Sequence, residues 1–178
     1  MPNVLILYSS VDGHTLTICQ RLQACIETAG ASASVLEITT CGEETLRAAD
    51  AVIVGASIRY GHHRPCVAEF MRRHQALLQS KPNGFFSVNV VARKPAKNTP
   101  DTNPYLRKLL RQIGWRPSLL AVFAGRIDYP RCGLLDRHMI RLIMWITKGP
   151  TDLRQAFEFT DWTQVEAFGA QILVASKA

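Results

Sequence analysis

The chain has 178 residues, of which 47% are apolar and 20% are charged, and its mean hydropathy is +0.02. This length and composition suit one compact domain spanning residues 1–178 and exclude a disordered chain, because so many apolar side chains can fill a core. No signal peptide is recognisable, and no apolar run has the roughly 18 residues that a membrane-spanning helix needs. We therefore expect a cytoplasmic protein whose contact with a membrane is peripheral.

The net charge of +7 at pH 7 is unevenly distributed. Between Arg59 and Lys148 there are 17 Lys and Arg against 4 Asp and Glu, so this middle segment carries +13 and the flanks together carry −6. The asymmetry indicates an anionic partner for the middle segment: nucleic acid, anionic lipid or a polyanionic small molecule. The alternative is that the charges only solvate several faces of the domain.

The five cysteines are an odd number and have no C-x-x-C spacing. The sequence therefore predicts neither a disulfide framework nor a zinc site, and no other metal site is suggested. We interpret these residues as reduced thiols, most of them in the core.

Five short apolar runs with helical patterns between them predict a parallel sheet that is covered by helices on both faces. The runs are almost continuous rather than alternating, as expected for strands that are buried on both sides. We predict a doubly wound α/β fold with the strand order 2-1-3-4-5. The runs are Val4 to Tyr8, Ser34 to Ile38, Ala51 to Ala56, Phe85 to Val91 and Leu119 to Gly125.

Apolar spacing and residues typical of helix ends predict the helices between these strands. Gly30 supplies a left-handed stop for the first helix, and Pro65 and Pro104 suit the first turns of two others. Asp161 has the N-cap spacing of a last helix. The predicted helices cover Gly13 to Ala29, a short segment near Leu46 to Asp50, Pro65 to Leu77, Asn103 to Gly114, and the segment that follows Asp161.

Residues 126–160 exceed what a minimal five-stranded unit needs, and we interpret them as an insertion after or within the fifth strand. The core of this insertion, Leu134 to Lys148, is amphipathic on a helical wheel. A basic amphipathic helix is typical of binding to an anionic membrane surface, whereas the alternative is a helix buried against the sheet. Its apolar face carries Leu135, Met139, Leu142, Ile143 and Ile146, its opposite face carries Arg137, Arg141 and Lys148, and Trp145 lies near the border.

The turn after the first strand has the composition of a phosphate-binding site. Glycine lets the backbone turn tightly, the helix N-terminus offers free N–H groups, and hydroxyls donate further hydrogen bonds. No dinucleotide or Walker-type glycine pattern is present. The alternative is an N-capping turn of polar residues. The turn consists of Ser9, Ser10, Val11, Asp12, Gly13, His14 and Thr15.

Two further loops are expected beside this turn, because ligands of doubly wound sheets bind where the strand order reverses, at the carboxyl ends of the strands. The loop after the third strand runs from Ser57 to Arg64, and the loop after the fourth runs from Ala92 to Lys97. Together they supply an aromatic ring, backbone amides and several cations, as a flat, electron-accepting isoalloxazine ring requires. The alternative for His62 and His63 is an exposed polar loop.

Five blocks of the sequence carry a family resemblance, and two of them contain the loops just described. The blocks are Gly55 to His62, Ser87 to Pro95, Trp115 to Pro117, Tyr129 to Arg131 and Asp136 to Met144. They resemble the flavodoxin-like, menaquinone-dependent protoporphyrinogen oxidases, and the resemblance covers essentially the whole chain. The two loop blocks are specific to this family, whereas the phosphate turn is shared more widely.

The resemblance implies a flavodoxin-like fold and an FMN enzyme that oxidises protoporphyrinogen IX to protoporphyrin IX and passes the electrons to a membrane quinone. Such an enzyme would associate with the inner face of the cell membrane. Asp12 stands where a hydroxyl or amide is common, so we expect its carboxylate to point away from the phosphate.

The resemblance and the loop positions together give the candidate site residues. No catalytic residue is assigned. The candidates for binding the substrate are Arg59, His62, Arg93, Lys94 and Arg126. Among them, Arg59, Arg93 and Lys94 are the leading candidates for holding its propionates. The candidates for binding the cofactor are the seven residues of the phosphate turn, Ser57, Ile58, Arg59, Tyr60 and Gly61 after the third strand, and Asn89, Val91, Ala92, Arg93 and Lys94 after the fourth.

Several other functions are compatible with parts of this pattern. A flavodoxin electron carrier has the same fold and cofactor but is typically acidic, and an NAD(P)H:quinone reductase would oxidise NADPH. A receiver-like signalling domain needs an acidic pair after the first strand, which is absent from the sequence. A nucleic-acid-binding module is suggested only by the pI of about 9.5, so no nucleic-acid partner is predicted. The sequence leaves the oligomeric state open, including a homo-oligomer.

Overall fold

The computed structural model describes residues 1–177, which fold around a doubly wound parallel sheet. The strands of the chain, in order, are β1 (Asn3–Ser9), β2 (Ser32–Glu37), β3 (Ala51–Arg59), β4 (His62–His63), β5 (Asn83–Val88), β6 (Leu119–Phe123), β7 (Arg126–Asp128) and β8 (Ala156–Glu158). The main sheet has the order β2-β1-β3-β5-β6 with parallel pairing throughout. This confirms the predicted 2-1-3-4-5 order, since the two-residue β4 lies off the main path.

The helices lie on both faces of the sheet and within the insertion. They are α1 (His14–Thr28), α2 (Glu43–Ala48), α3 (Pro65–Arg73), α4 (Gln75–Gln79), α5 (Pro104–Ile113), α6 (Leu134–Ile146) and α7 (Trp162–Lys177). Alternate residues of β1 enter two separate cores: Ile6 packs with α1 and α7, and Leu7 packs with α3 and α5. Both cores exclude water from the sheet, which explains why the strands are nearly continuous apolar runs.

Most predicted helix ends are confirmed by their caps. Asn103 Oδ1 accepts hydrogen bonds from two amides at the start of α5, and Gly114 ends that helix with φ +75°. Asp161 Oδ1 accepts from the amides of Thr163 at 3.0 Å and Gln164 at 3.3 Å. The prediction of one continuous helix from Pro65 to Leu77 is wrong, because the backbone bends at His74 and divides the segment into α3 and α4. Leu78 of α4 then packs in the core.

The ends of the third and fourth strands differ from the prediction. β3 continues to Arg59 and turns back through Tyr60 and Gly61, both with positive φ, into β4. Positive φ at both central residues is the geometry of a two-residue hairpin turn, so residues 57–63 form a hairpin rather than a loop. The fourth strand, β5, ends at Val88 instead of Val91, because Asn89 Oδ1 accepts from Ala92 N at 3.1 Å and holds a 3₁₀ turn there.

The insertion leaves the sheet after β6 and returns to the same place. β7 and β8 pair in an antiparallel ladder at its base, and Phe159 N donates to Gly125 O at 3.1 Å. A small core of Ile127, Tyr129 and Met144 fills the insertion, and the Tyr129 hydroxyl donates to Pro150 O at 2.8 Å. The insertion therefore follows the fifth strand and has its own packing.

Helix α6 turns its apolar face to solvent. Its buried residue is Met144, and the large apolar side chains that remain exposed are Leu134, Leu135, Met139, Leu142, Ile143, Trp145 and Ile146. The alternative of a helix buried against the sheet is therefore wrong. Arg137, expected on a free basic face, instead donates to the carbonyls of Tyr129, Pro130 and Cys132. Within residues 1–177, no helix combines the length and hydropathy needed to cross a bilayer.

Candidate functional site

Three segments meet at the carboxyl edge of the sheet, where β1 and β3 lie side by side although β2 separates them in sequence. They are the turn at residues 9–15, the β3–β4 hairpin and the 3₁₀ turn that follows β5. Ser57 Oγ lies 3.5 Å from Ser9 O and links the first two segments. The sheet topology thus brings the three predicted cofactor segments together.

The turn at residues 9–15 contains two buried hydroxyls without a partner. Gly13 has φ +85° and turns the chain into α1, whose first amides have no helical acceptor. Ser9 Oγ and Thr15 Oγ1 are buried in fully covered residues, and neither makes a hydrogen bond. An unsatisfied buried hydroxyl costs free energy, so these two atoms fit a ligand that accepts hydrogen bonds. A phosphate at the N-terminus of α1 meets this requirement.

The side chain of His14 contacts the end of the insertion and not the other residues of this turn. Thr160 donates its hydroxyl proton to Ala124 O at 2.8 Å, so its oxygen must accept from His14 Nε2, which lies 2.7 Å away. Burial lowers the pKa of His14, and the ring packs edge-on against Trp162. The His14 side chain therefore fixes the end of the insertion, and only its backbone amide could contact a phosphate in the turn.

The Asp12 carboxylate is paired with a cation. Arg59 contacts Asp12 Oδ1 at 3.1 Å and also pairs with Asp136 of α6. The Tyr60 hydroxyl donates to the second oxygen of Asp136. The hydrogen bond from Tyr60 and the Arg59 guanidinium lower the pKa of the Asp136 carboxyl. Arg59 thus joins the phosphate turn, the hairpin and the insertion.

A buried polar network supports the other side of the site. His63 Nε2 lies 2.8 Å from Ser87 Oγ, and Asn89 Nδ2 donates to the same oxygen at 3.1 Å. Asn103 Nδ2 donates in turn to Asn89 Oδ1 at 3.0 Å. Burial lowers the pKa of His63 to about 4, so its imidazole is neutral at pH 7. This network fixes the 3₁₀ turn that carries Val91, Ala92 and Arg93.

The cations predicted to bind substrate have different surroundings. His62 Nδ1 accepts from Lys108 Nζ at 2.8 Å, and Arg126 pairs with Asp128 at 3.0 Å. Lys94 follows the 3₁₀ turn and is partly exposed. Arg93 donates to Val90 O and to both the carbonyl and the hydroxyl of Thr147. These three bonds favour a structural role for Arg93, since they occupy both of its terminal nitrogens.

Three contributors were not predicted for the site: Thr160, Asp136 and Asn103. Asn103 had a recognisable signal as a helix cap, but its bond to Asn89 depends on the packing of α5 against the sheet. Asp136 and Thr160 lie in or beside the insertion, far along the chain from Arg59 and His14. Their contacts follow from how the insertion folds back, which has no local signature.

The chain matches the flavodoxin domain family over residues 5–154. It is 16% identical to an archaeal flavodoxin and 17% identical to a flavodoxin mutant of Pseudomonas aeruginosa, with TM-scores of 0.53 and 0.58 and 99% of each chain covered. These likenesses show the fold.

Two similar proteins are named "Protoporphyrinogen IX dehydrogenase [quinone]". The one from Escherichia coli is 45% identical over 168 residues, which cover 94% of this chain and 93% of that protein. The one from Leishmania major is 42% identical over 171 residues, which cover 95% of this chain and 74% of that protein. The chain therefore belongs to the flavodoxin domain family, among the members that are named quinone-dependent protoporphyrinogen IX dehydrogenases.

Proposed function

We propose that this protein binds FMN and oxidises protoporphyrinogen IX to protoporphyrin IX, passing the electrons to a quinone at a membrane surface. The names of the similar proteins support the substrate and the quinone. The observation that carries the cofactor is the pair of buried, unpartnered hydroxyls of Ser9 and Thr15 at the N-terminus of α1. FMN would supply reversible hydride acceptance.

The cofactor phosphate would be held by Ser9, Thr15 and the first amides of α1. One phosphate at a helix N-terminus suits FMN, because the turn lacks the glycine pattern that accommodates the pyrophosphate of FAD. The flavin ring would lie between the β3–β4 hairpin and the 3₁₀ turn after β5. Tyr60, which is 58% exposed, and the neighbouring Arg59 are the hairpin residues available to its edge.

The substrate carries two propionates, and the edge of the site is rich in cations. Arg59 and Lys94 come from the two loops that would lie beside the flavin, and His62 and Arg126 are exposed. A guanidinium grips a carboxylate through paired hydrogen bonds, whereas a Lys acts as a point charge. We assign the leading role to Arg59, since it already holds carboxylates in the structure.

The membrane surface would be met by α6. Leu135 is 85% exposed and Trp145 is 71% exposed, and both lie on a face without a protein partner among the described residues. Arg141, on the opposite side of α6, and Lys148, just after its C-terminal end, are exposed, and such cations attract anionic lipid headgroups. Because Asp136 and Thr147 tie α6 and its C-terminal end to the flavin loops, docking this face would bring the cofactor close to membrane quinone.

The test uses the purified protein with its bound flavin. We expect heat-released flavin to have the mass of FMN, and we expect anaerobic protoporphyrinogen IX to become fluorescent porphyrin only when menaquinone is added. NADPH should not replace the porphyrinogen as electron donor. Released FAD would contradict the cofactor assignment, and NADPH oxidation without porphyrinogen turnover would contradict the proposed reaction.

A further inference from the structure

Asp136 occupies a carboxylate site at the edge of the proposed active site. One of its oxygens pairs with the Arg59 guanidinium, and the other accepts from the Tyr60 hydroxyl. Only 23% of its side chain is exposed, whereas Asp12, on the other nitrogen of Arg59, is 73% exposed. Asp136 is therefore enclosed by two donors that face the same carboxylate, which is how a protein binds a carboxylate ligand.

The position of Asp136 gives this contact a second consequence. It lies in the first turn of α6, and α6 is held to the flavodoxin part of the molecule at two points. At the N-terminal end, Asp136 forms an ion pair with Arg59 and accepts a hydrogen bond from Tyr60. At the C-terminal end, Thr147 accepts a hydrogen bond from Arg93. The buried side chain of the helix, Met144, belongs to the C-terminal half. Loss of the Asp136 contact would detach the N-terminal half of α6 from the hairpin, while Arg137 would still hold it to residues 129–132 of the insertion.

We propose that Asp136 is a placeholder for a substrate carboxylate: a propionate takes its place on Arg59 and Tyr60, and this exchange releases the N-terminal half of α6 from the hairpin. The inference rests on the proposed function, because it needs a substrate with carboxylates. Asp136 is thus a specificity-determining residue. A flat tetrapyrrole without a free carboxylate cannot displace it, and the exchange couples occupation of the site to the exposed face of the helix.

The exchange makes Asp136 a competitor, which predicts an unusual effect of removing it. Asp136→Asn should bind protoporphyrin IX more tightly, by up to about fivefold, since one partly exposed ion pair no longer has to be broken. A purely structural residue would have the opposite effect, because a loosened hairpin binds less well. Asp136→Glu keeps the competing charge and should behave like the original protein.

The experiment measures binding of protoporphyrin IX and of its dimethyl ester to the FMN-loaded protein by fluorescence. The gain of Asp136→Asn should appear with the free acid and vanish with the ester. Asp152→Asn is the matched control, because it removes the same charge from the insertion at a residue that bonds only within its own turn. Equal or weaker binding of the free acid by Asp136→Asn, or an equal gain with the ester, would overturn the placeholder role.

Hydrogen exchange of the unmodified protein provides a second test that needs no variant. Protoporphyrin IX should speed exchange of the amides of residues 137–141, the first that are hydrogen-bonded within α6, and the dimethyl ester should not. Unchanged or slower exchange with the free acid would refute the release of the helix. Failure of the unmodified protein to bind either porphyrin would instead reject the proposed substrate, which is a distinguishable result.

Discussion

The hydroxyl of Thr15 is buried and makes no hydrogen bond, so it does not stabilise the fold. Thr15→Val keeps the shape and removes that hydroxyl. FMN should then bind about ten- to hundredfold more weakly, because a hydrogen bond to a charged group contributes about 1.5–3 kcal/mol. The apoprotein should be equally or more stable. Flavin titration and thermal unfolding measure the two effects.

Thr17→Val is the matched control, since Thr17 lies one half-turn further along α1 and its side chain is exposed. FMN affinity should stay unchanged in that variant. If Thr15→Val bound FMN as tightly as the original protein, the turn would be a helix cap and not a phosphate site.

His63 makes the stability of the protein depend on pH. Its pKa is 6.5 when unfolded and about 4 when folded, because burial disfavours the charged imidazole. Between these values the unfolded chain binds a proton that the folded chain does not, so the free energy of unfolding falls as the pH falls from 6.5 to 4. The contribution lost by pH 4 is up to about 3 kcal/mol.

His63→Gln can still form a hydrogen bond with Ser87 but does not titrate. Urea unfolding at pH 7 and at pH 4 should therefore show a smaller loss of stability in the variant than in the original protein. His14 and His74, whose pKa values are also lowered, are present in both proteins and cancel in the comparison. Equal losses in the two proteins would show that His63 is not buried as a neutral ring.

At the level of elements, Arg93 joins the turn after β5 to the insertion. Arg93→Gln removes the hydrogen bonds to Thr147 and should destabilise the C-terminal end of α6 by about 1.5–3 kcal/mol, since a guanidinium makes strong bonds. Cleavage by trypsin after Arg141 and after Lys148 should become faster in limited proteolysis. Lys97→Gln, which removes the same charge from an exposed position of the same segment, should leave proteolysis unchanged. If Arg93→Gln bound porphyrin more weakly but was not cleaved faster, Arg93 would have a role in binding the substrate.

The elements also show what the sequence could predict. Apolar runs located all five strands of the main sheet, and caps such as Asn103 and Asp161 located helix starts, because these signals act within a few residues. The β3–β4 hairpin was missed because Tyr60-Gly61 is a weak turn signal and the strand that returns has two residues. The bond between Arg59 and Asp136 joins residues 77 positions apart, so it depends on the folded insertion and not on local pattern.

At the level of the whole molecule, the positive middle segment includes both α6 and the two loops at the proposed flavin site. The insertion contributes Arg141 and Lys148, and the hairpin and the loop after β5 contribute Arg59 and Lys94 at the proposed flavin site. An anionic bilayer attracts cations of both groups, as the proposed membrane role of α6 requires.

The membrane role of α6 can be tested by changing Leu142 and Ile143 to Ser together. Their side chains are 54% and 49% exposed, so the fold and the flavin should survive. Binding to vesicles should weaken by about 2 kcal/mol, or roughly thirtyfold, because each change removes about half of a large apolar side chain from the interface. Sedimentation with vesicles that contain phosphatidylglycerol measures this, and added salt should weaken the remaining binding, since the cations act through screened charge.

Val174→Ser is the control for that change, because Val174 is 71% exposed on α7, away from the insertion. Vesicle binding and turnover with a membrane quinone should be unaffected in the control and reduced together in the double variant, while turnover with a water-soluble quinone should persist in both. If the double variant bound vesicles like the original protein, the exposed face of α6 would have another partner. Because the control removes an exposed apolar side chain from elsewhere on the molecule, an effect confined to the double variant must come from the exposed face of α6.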